Sequence, residues 1–193
     1  CKLDGPGSTT GSFVACTSPR TYAGLADGAY TFSVHALDGT HPSPPVASLS
    51  FAVDATPPAA PAFTSPPAIQ NSSTVTISGT AELFSKVTVV EGTTTLGTVT
   101  TNQAGVWSLP ALDGVADGAH TYRATAQDAA GNPGGESTRT VTIDTTPPPA
   151  DVTAGPSGTT TDSAPAFSFG SELGTTFECR LDGGAWTTCT APK

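Results

Sequence analysis

Val115-Ala-Asp-Gly-Ala-His-Thr-Tyr-Arg-Ala-Thr-Ala-Gln-Asp128 decides the reading of this chain. After an Asp-Gly turn signal, Tyr122, Ala124 and Ala126 alternate with Thr121, Arg123 and Thr125, the period-two pattern of a strand with one buried face. The stretch has a counterpart in Leu25-Ala-Asp-Gly-Ala-Tyr-Thr-Phe-Ser-Val-His-Ala-Leu-Asp38, about 90 residues earlier. There the same alternation turns Phe32, Val34 and Ala36 inward and Thr31, Ser33 and His35 outward. Further along, Phe51-Ala-Val-Asp-Ala-Thr-Pro-Pro58 matches Val141-Thr-Ile-Asp-Thr-Thr-Pro-Pro148 at the same offset, so a whole module repeats and not a short motif.

A second match joins the two ends of the sequence. Cys1-Lys-Leu-Asp-Gly5 resembles Cys179-Arg-Leu-Asp-Gly183, and Cys16-Thr-Ser-Pro-Arg20 resembles Cys189-Thr-Ala-Pro-Lys193. These offsets approach two module lengths. They divide the chain into the later part of one module (residues 1–57), one complete module (58–147) and the earlier part of another (148–193). The expectation is a window on a longer repetitive polypeptide, or chains whose partial modules complete one another. The lack of an initiator Met and of a leader segment fits a mature product or an interior segment.

Composition narrows the function classes. Only 12% of the 193 residues are charged, against roughly 25% in an average soluble protein. Seven basic residues face sixteen acidic ones, for a net charge of −9. Nucleic-acid binding needs clustered Lys and Arg to displace counterions from phosphates, and an anionic membrane surface needs them too. No run is long and apolar enough to predict a membrane span.

Within the complete module, strands are predicted at Val75-Thr-Ile77, Val87-Thr-Val89, around Leu96 and Val99, at Val106–Leu109, at Tyr122–Ala126 and at Val141–Ile143. Short strands separated by Gly, Asn, Asp and Pro turns, with no helical period, predict an all-β fold of tandem immunoglobulin-like β-sandwich modules. Trp107 is the expected core anchor.

Thr76-Ile-Ser-Gly-Thr-Ala81, Gly105-Val-Trp-Ser108, Ala126-Gln-Asp-Ala-Ala-Gly-Asn132 and Ile143-Asp-Thr-Thr-Pro-Pro148 together resemble bacterial immunoglobulin-like repeats. Phe177-Glu-Cys-Arg-Leu-Asp-Gly183 and Trp186-Thr-Thr-Cys189 resemble the disulfide-bearing variant of that family. Such repeats belong to large surface adhesins and secreted proteins, so the resemblance implies a fold and an extracellular setting more than it implies a ligand.

Four cysteines permit three pairings, and Cys1–Cys16 with Cys179–Cys189 is favoured because each pair brackets a Leu-Asp-Gly turn. A zinc site is the rival, against which the spacing offers no close Cys-x-x-Cys. A lipid-modified Cys1 is countered by the internal copy of its sequence. Disulfides imply an oxidising compartment outside the cytoplasm. The family resemblance also implies candidate calcium ligands at the turn Asp128–Asn132 and at Asp144, with Asp38 and Asp54 at the equivalent positions. The alternative is that Asp128 and Asn132 bond their own turn backbone. Calcium takes six to eight oxygens, more than these residues supply.

No catalytic residues are predicted. His120 has Tyr30 as its repeat partner, His35 has Thr125, and His41 lies in a Pro-rich stretch. Neither a nucleophile elbow nor a metalloprotease helix nor a phosphate loop occurs in the sequence. Asn71-Ser-Ser73 has the form of a glycosylation acceptor, and the Thr-Pro-Pro linkers predict stiff spacers. The leading expectation is a non-catalytic segment of an extracellular bacterial stalk, fibre or filament, with neighbouring copies or continuation of the same repetitive chain as partner. The alternatives are an adhesive module binding glycan or protein, or a spacer in a large secreted enzyme.

Overall fold

β-Branched Val, Ile and Thr recur along residues 86–91, 94–100 and 138–143 of this protein, because they suit a pleated, half-buried surface. The computed structural model describes residues 1–7, 12–39, 41–42 and 46–191, and among these it is all-β. It falls into two units, Cys1–Asp144 and Thr145–Lys193.

The first unit opens with β1 (Lys2–Asp4), β2 (Gly28–Val34), β3 (Leu37–Asp38), β4 (His41–Pro42) and β5 (Ala47–Val53). Strands β1, β2 and β5 form one antiparallel sheet, and β3 pairs with β4. The complete module follows with β6 (Ala62–Ser65), β7 (Ile69–Gln70), β8 (Ser78–Thr80), β9 (Lys86–Glu91), β10 (Thr94–Thr100), β11 (Val106–Ser108), β12 (Gly118–Gln127) and β13 (Pro133–Ile143). These make a five-stranded sheet in the order β10-β9-β12-β13-β7 and a three-stranded sheet in the order β11-β8-β6. The short β7 runs parallel to the end of β13, and all other pairings in the module are antiparallel.

Between the two sheets lies the core: Val75, Ile77, Val87, Val89, Trp107, Leu109, Tyr122, Ala124, Ala126, Val141 and Ile143. The alternation read in β12 sets which residues enter it, and Tyr122, Ala124 and Ala126 are all buried. Trp107 meets Phe63 edge-on, with ring centroids 5.6 Å apart. Gly79 makes room for this contact. A Cβ there would run into the Ala62 carbonyl and lie 2.7 Å from Trp107 Cζ2.

Two local expectations are corrected. Val75-Thr-Ile77 is not itself a strand. Val75 only bridges Leu112, and the regular pairing of β8 begins at Ser78, although Val75 and Ile77 are fully buried. In β2, Val34 is exposed and Phe32 is half-buried, while Ser33 on the opposite face is buried; Ala36, just past the strand, is exposed as well. On that outer side Phe13 packs against His35, at 4.1 Å between ring centroids, and under Lys2, the cross-strand neighbour of Ser33.

The modules repeat in register as well as in sequence. Glu91 of β9 lies opposite Tyr122 of β12, and Leu3 of β1 lies opposite Phe32, the repeat partner of Tyr122. The second unit contains β14 (Asp151–Ala154), β15 (Ser168–Gly170), β16 (Phe177–Cys179) and β17 (Thr187–Cys189). The β14–β15 pair has a register shift between Val152 and Ala154, and β6–β8 has the same kind of shift between Phe63 and Ser65. Cys1 is bonded to Cys16 and Cys179 to Cys189, with Cα atoms 6.0 and 5.8 Å apart. No described helix is long and apolar enough to cross a membrane.

Candidate functional site

The turn between β12 and β13 is built around one carboxylate. Asp128 is 8% exposed, and its Oδ1 accepts the backbone N–H groups of Gly131 at 2.7 Å and Asn132 at 2.8 Å. Its Oδ2 accepts Asn132 Nδ2 at 2.7 Å. Burial penalises the charged form, but the hydrogen bonds from the Asn132 side chain and the turn N–H groups outweigh it. Together they hold the Asp128 carboxyl below the ordinary carboxylate range.

Asn132 also reaches out of its own module. Its Nδ2 donates to the main-chain carbonyl of Asp54, 3.0 Å away, at the start of the linker that follows β5. From the other side, Asp27 holds the same linker. Its Oδ1 accepts Ala55 N–H at 2.8 Å, and its Oδ2 accepts the Thr56 hydroxyl. The Thr56 hydroxyl first, and then the Ala55 N–H, keep the Asp27 carboxyl below its usual range. The linker then runs against the start of β13, where a Cβ on Gly134 would come 2.6 Å from the Pro58 carbonyl oxygen. Two modules thus grip one proline-containing connector through named hydrogen bonds.

The candidate calcium ligands divide accordingly. Asp128, Asn132 and Asp54 come together, Asp54 through its carbonyl. Asp38 pairs with His41 across β3 and β4. Asp144 follows β13, and its N–H donates to the Gln70 carbonyl at 3.0 Å. Among the described residues no three His, Cys, Asp or Glu side chains group as metal ligands. Asp27 was not singled out from the sequence, although the recurrence of Ala-Asp-Gly at Asp27 and Asp117 is a signal that could have found it.

His120 is engaged at both ring nitrogens. Nδ1 lies 2.7 Å from Glu91 Oε1, and Nε2 lies 2.9 Å from the Ala116 carbonyl oxygen. Its ring stacks over Tyr122. The Glu91 carboxylate raises the His120 pKa, against a smaller opposing effect of burial. A carboxylate and a carbonyl both call for N–H donors, so the charged imidazolium suits the site. His35 packs on Phe13, and His41 pairs with Asp38.

The second unit carries an apolar groove of about 750 Å³, lined by Val152, Phe167, Phe169, Phe177, Leu181 and Trp186. Arg180 lies over the Trp186 ring at 4.6 Å.

No curated protein matches this chain. Among solved structures, a crystal structure of a tetra-tandem repeat in the extending region of a large adhesion protein is similar at a TM-score of 0.44 and 23% identity. The similarity covers 87% of this chain and 46% of that one, so this chain spans less than half of that structure's length. Residues 65–145, which hold nearly all of the complete module and its core, match the family model of the bacterial Ig-like domain.

Proposed function

We propose that this chain is a non-catalytic structural segment of an extracellular bacterial stalk, fibre or filament, in which each Ig-like module is a rigid spacer. The single observation that carries the reading is the junction held from both sides: Asp27 on Ala55 and Thr56, and Asn132 on Asp54. Fixing a Pro-Pro connector in this way removes its remaining freedom and makes module spacing a property of the fold. The two disulfides suit an oxidising environment, where a thin core gains from loop closure. Further copies of the module are the partners this reading expects.

Surface labelling of intact bacteria producing the protein, with antibody raised against residues 1–193, is expected to stain the cell exterior. Labelling that appears only after cell lysis would overturn the proposal. Specific binding to a glycan array would instead favour an adhesive module.

A further inference from the structure

The β9–β10 ladder of the complete module recurs, pair by pair, as the β16–β17 ladder of the second unit. Val87 lies opposite Val99, Thr88 opposite Thr98 and Val89 opposite Gly97. About 90 residues on, Phe177 lies opposite Cys189, Glu178 opposite Thr188 and Cys179 opposite Thr187. Val89 and Val99 therefore stand at the two positions that Cys179 and Cys189 bridge. The first module agrees through a different pairing. Lys2 lies opposite Ser33 as Val90 lies opposite Arg123, and Ser33 and Arg123 are repeat partners, so Cys1 also stands where Val89 does. Cys1 is bridged to Cys16. The complete module has valine where the modules on either side of it have a bridged cysteine.

The two solutions act on different states of the chain. Val89 is fully buried and Val99 packs against the core, so the valines add apolar burial to the folded module. They leave the unfolded chain unrestricted. A bridge that closes 10 residues, as Cys179–Cys189 does, restricts the unfolded chain enough to lower an unfolding constant about a hundredfold in the chain-entropy account.

We infer that the complete module is the yielding element of the repeat series: under tension it opens more readily, and further, than a module of the same architecture that carries the cysteine pair. Placed between bridged modules, it takes up load by opening and refolding while its neighbours keep their spacing. It contains no cysteine, so reductant does not act on it directly.

This inference deepens the structural-repeat reading and rests on it. The two can fail separately, because surface labelling tests that reading and a force measurement tests this one.

The full chain, held by its two ends in optical tweezers, provides the test. Val89→Cys/Val99→Cys is oxidised with glutathione disulfide, so that two thiols become one bridge and two glutathione thiols are released. The complete module is then expected to open at a higher force than in the native chain. Its step is also expected to shorten by about 30 Å, since about 10 residues at about 3.5 Å each stay inside the closed loop, less the span of the bridge. Thr88→Cys/Thr98→Cys closes a loop of the same length on the outer face, where the two hydroxyls lie 3.1 Å apart, and leaves the core untouched. It is expected to act alike, and reductant should return that step to its native value in both variants. A bridged variant of either kind whose module still opens at the native force would overturn the inference. So would thiols that stay unpaired in both.

Discussion

Tyr30 and His120 occupy the same place in successive modules and make the same contact. Tyr30 Oη donates to the Ala26 carbonyl at 2.9 Å, and His120 Nε2 lies 2.9 Å from the Ala116 carbonyl, four residues back in each case. Each closes the Ala-Asp-Gly corner that leads into the central strand of its sheet. The tyrosine shares its one proton with the Pro6 carbonyl at 2.8 Å, where the histidine, with a second N–H, adds Glu91. One corner is therefore neutral and the other carries charge.

That difference predicts a pH dependence confined to the complete module. The folded-state pKa of His120 is raised above its ordinary 6.5. A raised pKa gives stability that is fully present below 6.5 and is lost as pH rises through the folded value. Glu91 is the ionisable group facing the ring, with the Tyr122 phenol behind it, and burial pushes that phenol upward, out of the same range. The unfolding midpoint of residues 58–147 is expected to fall as pH rises from 6 toward 8. His120→Tyr, the residue of the sister module, should flatten the profile. A midpoint that does not change over this range would show that the imidazolium contributes nothing.

The junction yields a mechanical prediction. Asn132→Ala removes the bond to Asp54 and one bond to Asp128, at a net cost of about 1–2 kcal/mol if each behaves as an average hydrogen bond. Asp27→Ala releases Ala55 and Thr56 without touching the complete module's core. Spin labels on exposed positions of β5 and β10 should give a broader distance distribution in either variant, and the broadest in the double variant. An unchanged width in the double variant would place the stiffness in the proline residues alone.

The strands and the core face were legible because both depend on local alternation, and Tyr122, Ala124 and Ala126 obey it. The expectation failed where a second layer is needed to complete the argument. Val34 has the inward pattern yet is 36% exposed, whereas its repeat partner Ala124 is fully buried in a core that includes Ile77 and Trp107. The Asp128 turn was readable from Asp-Ala-Ala-Gly-Asn, since Asx side chains bond their own backbone. The reach of Asn132 to Asp54 was not, because it joins residues 78 apart and nothing in either local sequence encodes it.

Calcium provides a separate test of that turn. A calcium ion needs free oxygen donors, and Asp128 already gives Oδ1 to two backbone N–H groups and Oδ2 to Asn132. Metal binding there would have to compete with those bonds for the same two oxygens. Calorimetric scans in calcium and in chelator are expected to superimpose. A rise of several degrees in calcium would assign Asp128, Asn132 and the Asp54 carbonyl a metal-holding role.

The contact between Gly79 and Trp107 sets how far the complete module tolerates change. Trp107 fills the space between the sheets, and truncating it to Ala should cost about 3–5 kcal/mol through lost burial and the cavity left behind. Gly79→Ala acts by the opposite route. The added methyl meets both the Trp107 ring and the Ala62 carbonyl, and the carbonyl is backbone held by the β6–β8 pairing. If the ring were the only obstacle, a smaller residue at 107 would rescue Gly79→Ala. Because the carbonyl remains, Gly79→Ala/Trp107→Leu is expected to be less stable than Trp107→Leu alone by about 1–3 kcal/mol. Equal denaturation midpoints for those two variants would show that β6 moves aside, and that Gly79 serves only the tryptophan.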